Sequence, residues 1–560
     1  MKKFVVPVLT GLLVAVLPMG AAVVDAAPRV VTPPVGASAY SPISPSRLAD
    51  TRTEFGASGF TRVGPNTIRV QVTGRFGIAA GATAAVLNVA SVNAFGIGFV
   101  TAFPAGSPLP TASSLNVDAA GRTIANLTTV RLSAGGAVDL FMNVAMDLVV
   151  DVAGTYSAVT TEVSAGRLVT ISGGARRALD TRSIGITIGP GGTQVVDLAS
   201  VGVPADAVAV AVNLAAVNAN PGFWTAYPSG DPLPLASNLN IDEFGQTRNS
   251  QAIVRLNAGP RTFNVYSFGG GQLVVDVVGW FTGASSPAST DGLFVPNTPT
   301  RRLDTRDSFA LPPWGDSTIE FSPGSTLNVP IAAVAMNLAI TQPWYVGFVT
   351  AFPAGQPRPL SANLNITAFD QIISNHAIVR VGARGVALYT QNGTHMIVDV
   401  AGWYLGQPDA STAAQLPIPA YGPTYAVSID APNAGLSVPV RYGRNITSIV
   451  DQGVAGLWGG YGTLGTADHN VYTAHRTSKG APFRNIDRMP VGSTFTVTGA
   501  DGVDYLYLVQ RVDVISPVPA VLVDIATRTA PITVTLVACH PPHSVKYRIA
   551  VTGRLIGATP

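Results

Sequence analysis

One pattern occurs three times in this chain of 560 residues, and it constrains the fold more than any other feature. The first copy opens at Arg47-Leu48-Ala49-Asp50-Thr51-Arg52, the second at Arg177-Ala178-Leu179-Asp180-Thr181-Arg182 and the third at Arg301-Arg302-Leu303-Asp304-Thr305-Arg306. The three aspartates stand 130 and 124 residues apart. Each copy then carries a central signature, Gly98-Phe99-Val100-Thr101-Ala102-Phe103-Pro104 in the first, with counterparts starting at Gly222 and Gly347. Leu115-Asn116, Leu239-Asn240 and Leu364-Asn365 follow. Each copy closes on an apolar run with one acid, Val150-Asp151-Val152, Val275-Asp276-Val277 or Val398-Asp399-Val400, and an aromatic residue comes soon after.

A period near 125 residues is far above the 20–50 of solenoid repeats, so each copy is expected to fold as its own domain. We place these at residues 45–158, 170–283 and 297–406. Charged residues are 12% of the chain, about half the usual share, while Gly (58) and Pro (43) abound. Short alternating runs punctuated by Gly and Pro give an all-β fold class, three tandem β-sandwich-like modules. The Asp-Thr-Arg triplet with the late Asp has two readings, a ligand or metal site, or a turn with a charge-assisted hydrogen bond to the backbone. The second is preferred, because a turn repeats when a fold repeats. The Asn of each Leu-Asn is read as a turn or bulge residue.

Residues 1–27 read as a signal peptide. Lys2-Lys3 precede an apolar run from Phe4 to Val24, and small residues follow. The run is nearly long enough to span a bilayer, but Pro7, Gly11, Pro18 and Gly20 favour cleavage over anchoring. The expectation is a secreted or cell-surface protein, attached to membrane only if the leader stays uncleaved. Residues 28–44 read as a Pro-rich spacer. A net charge of +3 with no basic run excludes nucleic acid as an expected partner. The single cysteine excludes an internal disulfide framework.

From residue 407 the sequence turns rich in Pro, Ala, Ser and Thr, a linker over 407–416, and the repeat signature does not return. Residues 417–558 form a different all-β domain. Its strand candidates cover 425–429, 437–441, 470–474, 494–497, 505–509, 521–524, 532–537 and 545–552, with a helical turn near 446–451. A closed barrel resolves the edges of so many short strands. Cys539, the only cysteine, sits where a strand ends before Pro541-Pro542. Four of the six histidines fall here: His469, His475, His540 and His543. A thiol attacks only as thiolate, so a working cysteine needs a base or cation nearby. His475, at a strand end 64 residues upstream, can serve as that base. Arg548 is a fixed donor suited to an oxyanion. Taken alone, a lone cysteine on a strand reads more simply as a small apolar residue.

Two resemblances add to this. The copies, over residues 45–405, are similar to a repeat of exported actinobacterial surface proteins, which implies a spacer or adhesive role and no chemistry. Leu464 to Gly480 with Ala481-Pro482-Phe483-Arg484 resembles the histidine segment of sortases. Thr535-Leu536-Val537-Ala538-Cys539 resembles their TLxTC signature, and Arg548 falls where their arginine is expected. Class E is the nearest in flavour. The resemblance implies a closed barrel and cysteine transpeptidase chemistry at an LPxTG or LAxTG sorting signal, with Cys539, His475 and Arg548 as catalytic residues. It implies no metal and no cofactor. The implied partners are surface proteins bearing the signal, and an amine acceptor in wall peptide or protein. Ala538 replaces the family's usual threonine and Ala474 its usual glycine; with His540, both are expected to line the substrate groove. The alternative is a non-catalytic adhesin with a degenerate barrel. A hydrolytic peptidase of the same fold differs only in its acceptor.

Overall fold

The computed structural model describes residues 32–52, 59–308, 317–325, 327–343, 345–410, 424–442, 445–459, 463–464, 469–517 and 533–559. The leader, most of the proposed linker and the strand candidate at 521–524 lie outside these. No helix among the described residues is long and apolar enough to cross a membrane.

The all-β expectation holds, and so does the sandwich. In the first copy Ser38–Asp50, Asp147–Ala158, Ala82–Val92 and Ile124–Arg131 pair in that order, as half of an eight-stranded sheet that continues into the third copy where Ser38 meets Phe294. Phe60–Gly64, Thr67–Gln71, Ala137–Met142, Gly98–Pro104 and Leu115–Val117 form the other. Inward residues such as Leu87, Val100, Leu140 and Val150 fill the space between them. Val212, Trp224, Phe263 and Val275 do so in the second copy, and Met336, Val349, Leu388 and Val398 in the third. The glycine two residues after each Val-Asp-Val has a steric cause. A Cβ on Gly154 would lie 2.2 Å from the Tyr40 hydroxyl, and one on Gly402 2.4 Å from the Phe294 ring.

Two expectations need correction. The latter part of the proline-rich spacer, from Ser38, is a strand: residues from Ser38 to Pro42 pair with Gly154 to Ala158, and Ala37, Ser38 and Tyr40 are buried. Proline content misled because Pro42 and Pro45 fall at an irregularity of that pairing, where a ladder bond is not required. Asn116, Asn240 and Asn365 are no turn or bulge residues; each is the middle residue of a three-residue strand.

The opening arginine and the closing aspartate of each copy meet. Arg177 grips Asp276 through Nε (2.9 Å) and Nη2 (3.2 Å), and Arg301 grips Asp399 in the same way (2.7 and 3.2 Å). Arg47 repeats this on Asp151. Asp50, Asp180 and Asp304 each accept from the backbone N–H two residues on, at 3.1 Å, and from that residue's guanidinium. Arg52 and Arg182 hold the Asp50 and Asp180 carboxyls below the ordinary carboxylate range. Burial pushes Asp151 and Asp276 upward, against the pull of Arg47 and Arg177. The turn reading of the triplet therefore fits, with a buried ion pair added to it.

The copies are not beads on a string; they close on one another head to tail. Asn88 donates to the Ser237 carbonyl of the second copy (2.5 Å), Asn213 to Ala362 of the third (2.5 Å), and Asn337 back to Ser113 of the first (2.7 Å). Tyr40, Tyr156, Leu168, Phe281, Phe294 and Tyr404 make a fourth core shared by all three. Beside it lies a buried polar cluster to which each copy supplies a residue. His376 Nδ1 donates to Gln251 (2.5 Å), its Nε2 accepts from Thr129 (3.1 Å), and its backbone N–H donates to Asn126 (2.9 Å). Burial pushes the His376 imidazole down to about 3, so it is neutral. Asp409, in the stretch read as linker, is buried against Arg380 of the third copy and Ser172 and Gly173 of the second.

Eight strands after residue 423 close a barrel. We number them β1 (Thr424–Ala431), β2 (Leu436–Arg441), β3 (Ala455–Gly459), β4 (His469–Thr473), β5 (Thr494–Gly499), β6 (Asp504–Ile515), β7 (Thr533–His540) and β8 (Tyr547–Thr559). Their order is β2-β3-β4-β7-β8-β6-β5-β1, and β1 pairs with β2 to complete the circuit. Only β2–β3 and β4–β7 run parallel. Strict alternation along β2 and β5 sends Val438, Phe495 and Val497 inward with Tyr472, Leu536 and Val551.

Candidate active site

Cys539 is the penultimate residue of β7 and is half-buried. Across the antiparallel ladder its direct partner is Arg548 on β8, so the two side chains leave the same face of the sheet. On its other side β7 runs parallel to β4, with Thr473 level with Val537. His475 lies two residues beyond the end of β4, as Cys539 lies two beyond Val537, so residues 64 apart in the chain end at the same edge of the barrel. Ala474 N–H to Val537 O (3.4 Å) and Thr473 Oγ1 to Val537 O (3.0 Å) continue the contact past the end of β4. The three residues singled out by sequence thus come to one end of the barrel.

The imidazole of His475 is held. Its Nε2 donates to Asp451 Oδ1 at 2.8 Å, which leaves Nδ1 as the ring's basic nitrogen when the histidine is neutral. Asp451 caps the helix Ile446–Val450, and that helix sits close because residue 456 is glycine. A Cβ there would lie 2.4 Å from Ile446 Cδ1. The Arg548 guanidinium donates through Nη1 to the Val545 and Tyr547 carbonyls (2.9 and 3.0 Å).

Alternation decides what stands behind these groups, and it overturns two expected substrate contacts. Ala538 and Ala474 neighbour Cys539 and His475 in sequence and so face the opposite way. They lie 2% and 4% exposed in the barrel core and line no groove. His540 is half-buried, and its Nδ1 accepts from Arg476 Nη1 at 2.8 Å. Arg476, only 2% exposed, also reaches the carbonyls of Arg484 (3.3 Å) and Cys539 (3.5 Å) and pairs with Asp487 (2.6 Å). It ties the histidine segment to the end of the cysteine strand. Sequence reasoning assigned roles to neither Arg476 nor Asp451. The first carried a signal, a charge beside two apolar strands; the second, 24 residues before His475, carried none. Among the described residues no three His, Cys, Asp or Glu side chains gather as a metal site requires.

A family model described as the sortase domain matches residues 429–556. This barrel is a sortase domain. Solved structures similar to it include Streptococcus agalactiae sortase C1 in complex with MTSET, at 27% identity over 23% of this chain and 66% of that one, TM-score 0.20. Sortase E1 from Streptomyces coelicolor, with a tripeptide in the active site, is 24% identical over 24% of this chain and 90% of that one, TM-score 0.21. Streptococcus suis sortase C1 is 21% identical over 24% and 74%, TM-score 0.21. The chain thus spans about two thirds of the S. agalactiae sortase C1. No curated protein matches the chain.

Proposed function

We propose that the sortase domain is a cysteine transpeptidase acting on an LPxTG- or LAxTG-type sorting signal. His475 Nδ1 takes the proton of the Cys539 thiol, and the sulfur adds to the threonine carbonyl of the signal. Arg548 stabilises the resulting oxyanion. Collapse breaks the peptide bond, the departing amine takes the proton from His475, and a thioester on Cys539 remains. An incoming amine, or water, gives its proton to His475 and attacks the thioester, which restores the thiol. Asp451 acts as a positioning residue by keeping the proton on Nε2. No metal or cofactor enters this chemistry. The apolar leader and the surface-type repeats support export, with signal-bearing surface proteins as donors and wall peptide or protein amines as acceptors.

What supports this reading is the pairing of Cys539 with Arg548 across the hairpin, beside the end of the parallel strand that leads into His475. The test is turnover of a fluorogenic LPxTG peptide by the full chain, with and without Cys539→Ala. Loss of turnover by a factor on the order of 10⁴ or more is expected. Turnover that survives excludes Cys539 as the nucleophile, and absence of turnover in the parent chain favours a barrel kept for binding. A glycine-peptide acceptor in the same assay separates transfer from hydrolysis.

A further inference from the structure

The three seams of the ring share one arrangement of arginine and aspartate. Where the second copy meets the third, a cavity of about 420 Å³ opens, within the range of small-molecule sites. Ala215, Val217 and Val274 make its apolar floor, and Arg177, Arg182 and Arg358 bring positive charge to it. Arg177 is spent on Asp276 and Asp180, and Arg182 on Asp180. Arg358 has no carboxylate partner among the described residues. Its guanidinium lies 3.6 Å over the Tyr389 ring and 5.8 Å from that of Phe348. Stacking occupies the flat face of the guanidinium and leaves its N–H edge for a planar or tetrahedral anion.

The other two seams provide an internal control. Pro357-Arg358-Pro359 corresponds to Pro232-Leu233-Pro234 in the second copy and Pro108-Leu109-Pro110 in the first. Arg47 and Arg52 therefore face Asp50 and Asp151 with a leucine opposite, and Arg301 and Arg306 face Asp304 and Asp399 likewise. At these matched positions both are balanced, two cations against two anions; the first seam adds the Arg255–Asp231 pair, itself balanced. At the same positions the second seam carries three cations against two, beside the balanced Arg380–Asp409 pair. A ring scaffold needs no such surplus, since the other seams close without it.

We propose that this seam binds a small ligand bearing one carboxylate or phosphate on a ring-sized body, with the anion on the edge of Arg358 and the body over the apolar floor. The test is calorimetric titration of the full chain with glucuronate, glucose 6-phosphate and neutral glucose. One of the two anions is expected to bind, and which one does tells carboxylate from phosphate recognition. Arg358→Leu, which installs the residue found in the other copies at an exposed position, is expected to lower the affinity at least tenfold. Leu233→Arg is expected to create a second site. Equal binding of glucose, unchanged affinity in R358L, or binding of neither anion would overturn the proposal.

Discussion

The ring and the barrel treat polar groups in opposite ways. In the ring, Arg47–Asp151, Arg177–Asp276 and Arg301–Asp399 repeat one geometry three times, with the carboxylates buried and every guanidinium engaged. In the barrel, Cys539, His475 and Arg548 occur once, half-exposed at a strand end, with Asp451 and Arg476 arranged behind them. A feature that recurs with the fold is accounted for by the fold. A feature that occurs once, at a mouth, is where chemistry is to be sought. Arg358 is the exception inside the ring, and it stands out because its two counterparts are leucines.

Substitutions can break or sharpen that contrast. Arg301→Ala strands the buried Asp399 carboxylate, which also accepts from the Ser113 N–H of the first copy at 3.0 Å. A loss of about 3 kcal/mol in chemical denaturation of the ring is expected, with peptide turnover by the barrel unchanged. If turnover falls in parallel, the two parts are not energetically separate. The neutral His376 gives the next largest effect. Its pKa is near 3 when folded and about 6.5 when unfolded, so the unfolded chain binds the extra proton first. Stability contributed here is complete above pH 6.5 and falls as the pH drops toward 3, by about 2 kcal/mol between pH 6.5 and 5. Thermal melts across that window are expected to show the slope in the parent chain and to lose it in His376→Gln. The smallest effect belongs to Asp451→Ala, about tenfold in kcat, with the melting temperature unchanged. Asp451→Asn keeps an acceptor and is expected to recover most of that rate.

Much of the architecture was legible because strand periodicity is local. The barrel strands at 494–499 and 504–515 announce themselves by alternation and turn residues, without reference to anything distant. The site residues were legible in part. Cys539 and Arg548 belong to one hairpin, whereas the placement of His475 at the same end of the barrel depends on a parallel pairing across 64 residues that no local pattern encodes. Ala538 and Ala474 went wrong for a related reason. Closeness in sequence to a reactive residue was read as closeness in space, although adjacent strand residues face opposite ways. The ring was hidden more thoroughly, since Asn88, Asn213 and Asn337 find their partners only in another copy.

Head-to-tail contacts that return to their origin after three steps fix the number of units. A fourth copy would find no free face to dock on, and removing one would leave two unsatisfied faces on every molecule. Such a shortened chain would seek its missing neighbour in other molecules and assemble into oligomers or open filaments. The count of three is thus a guard against polymerisation.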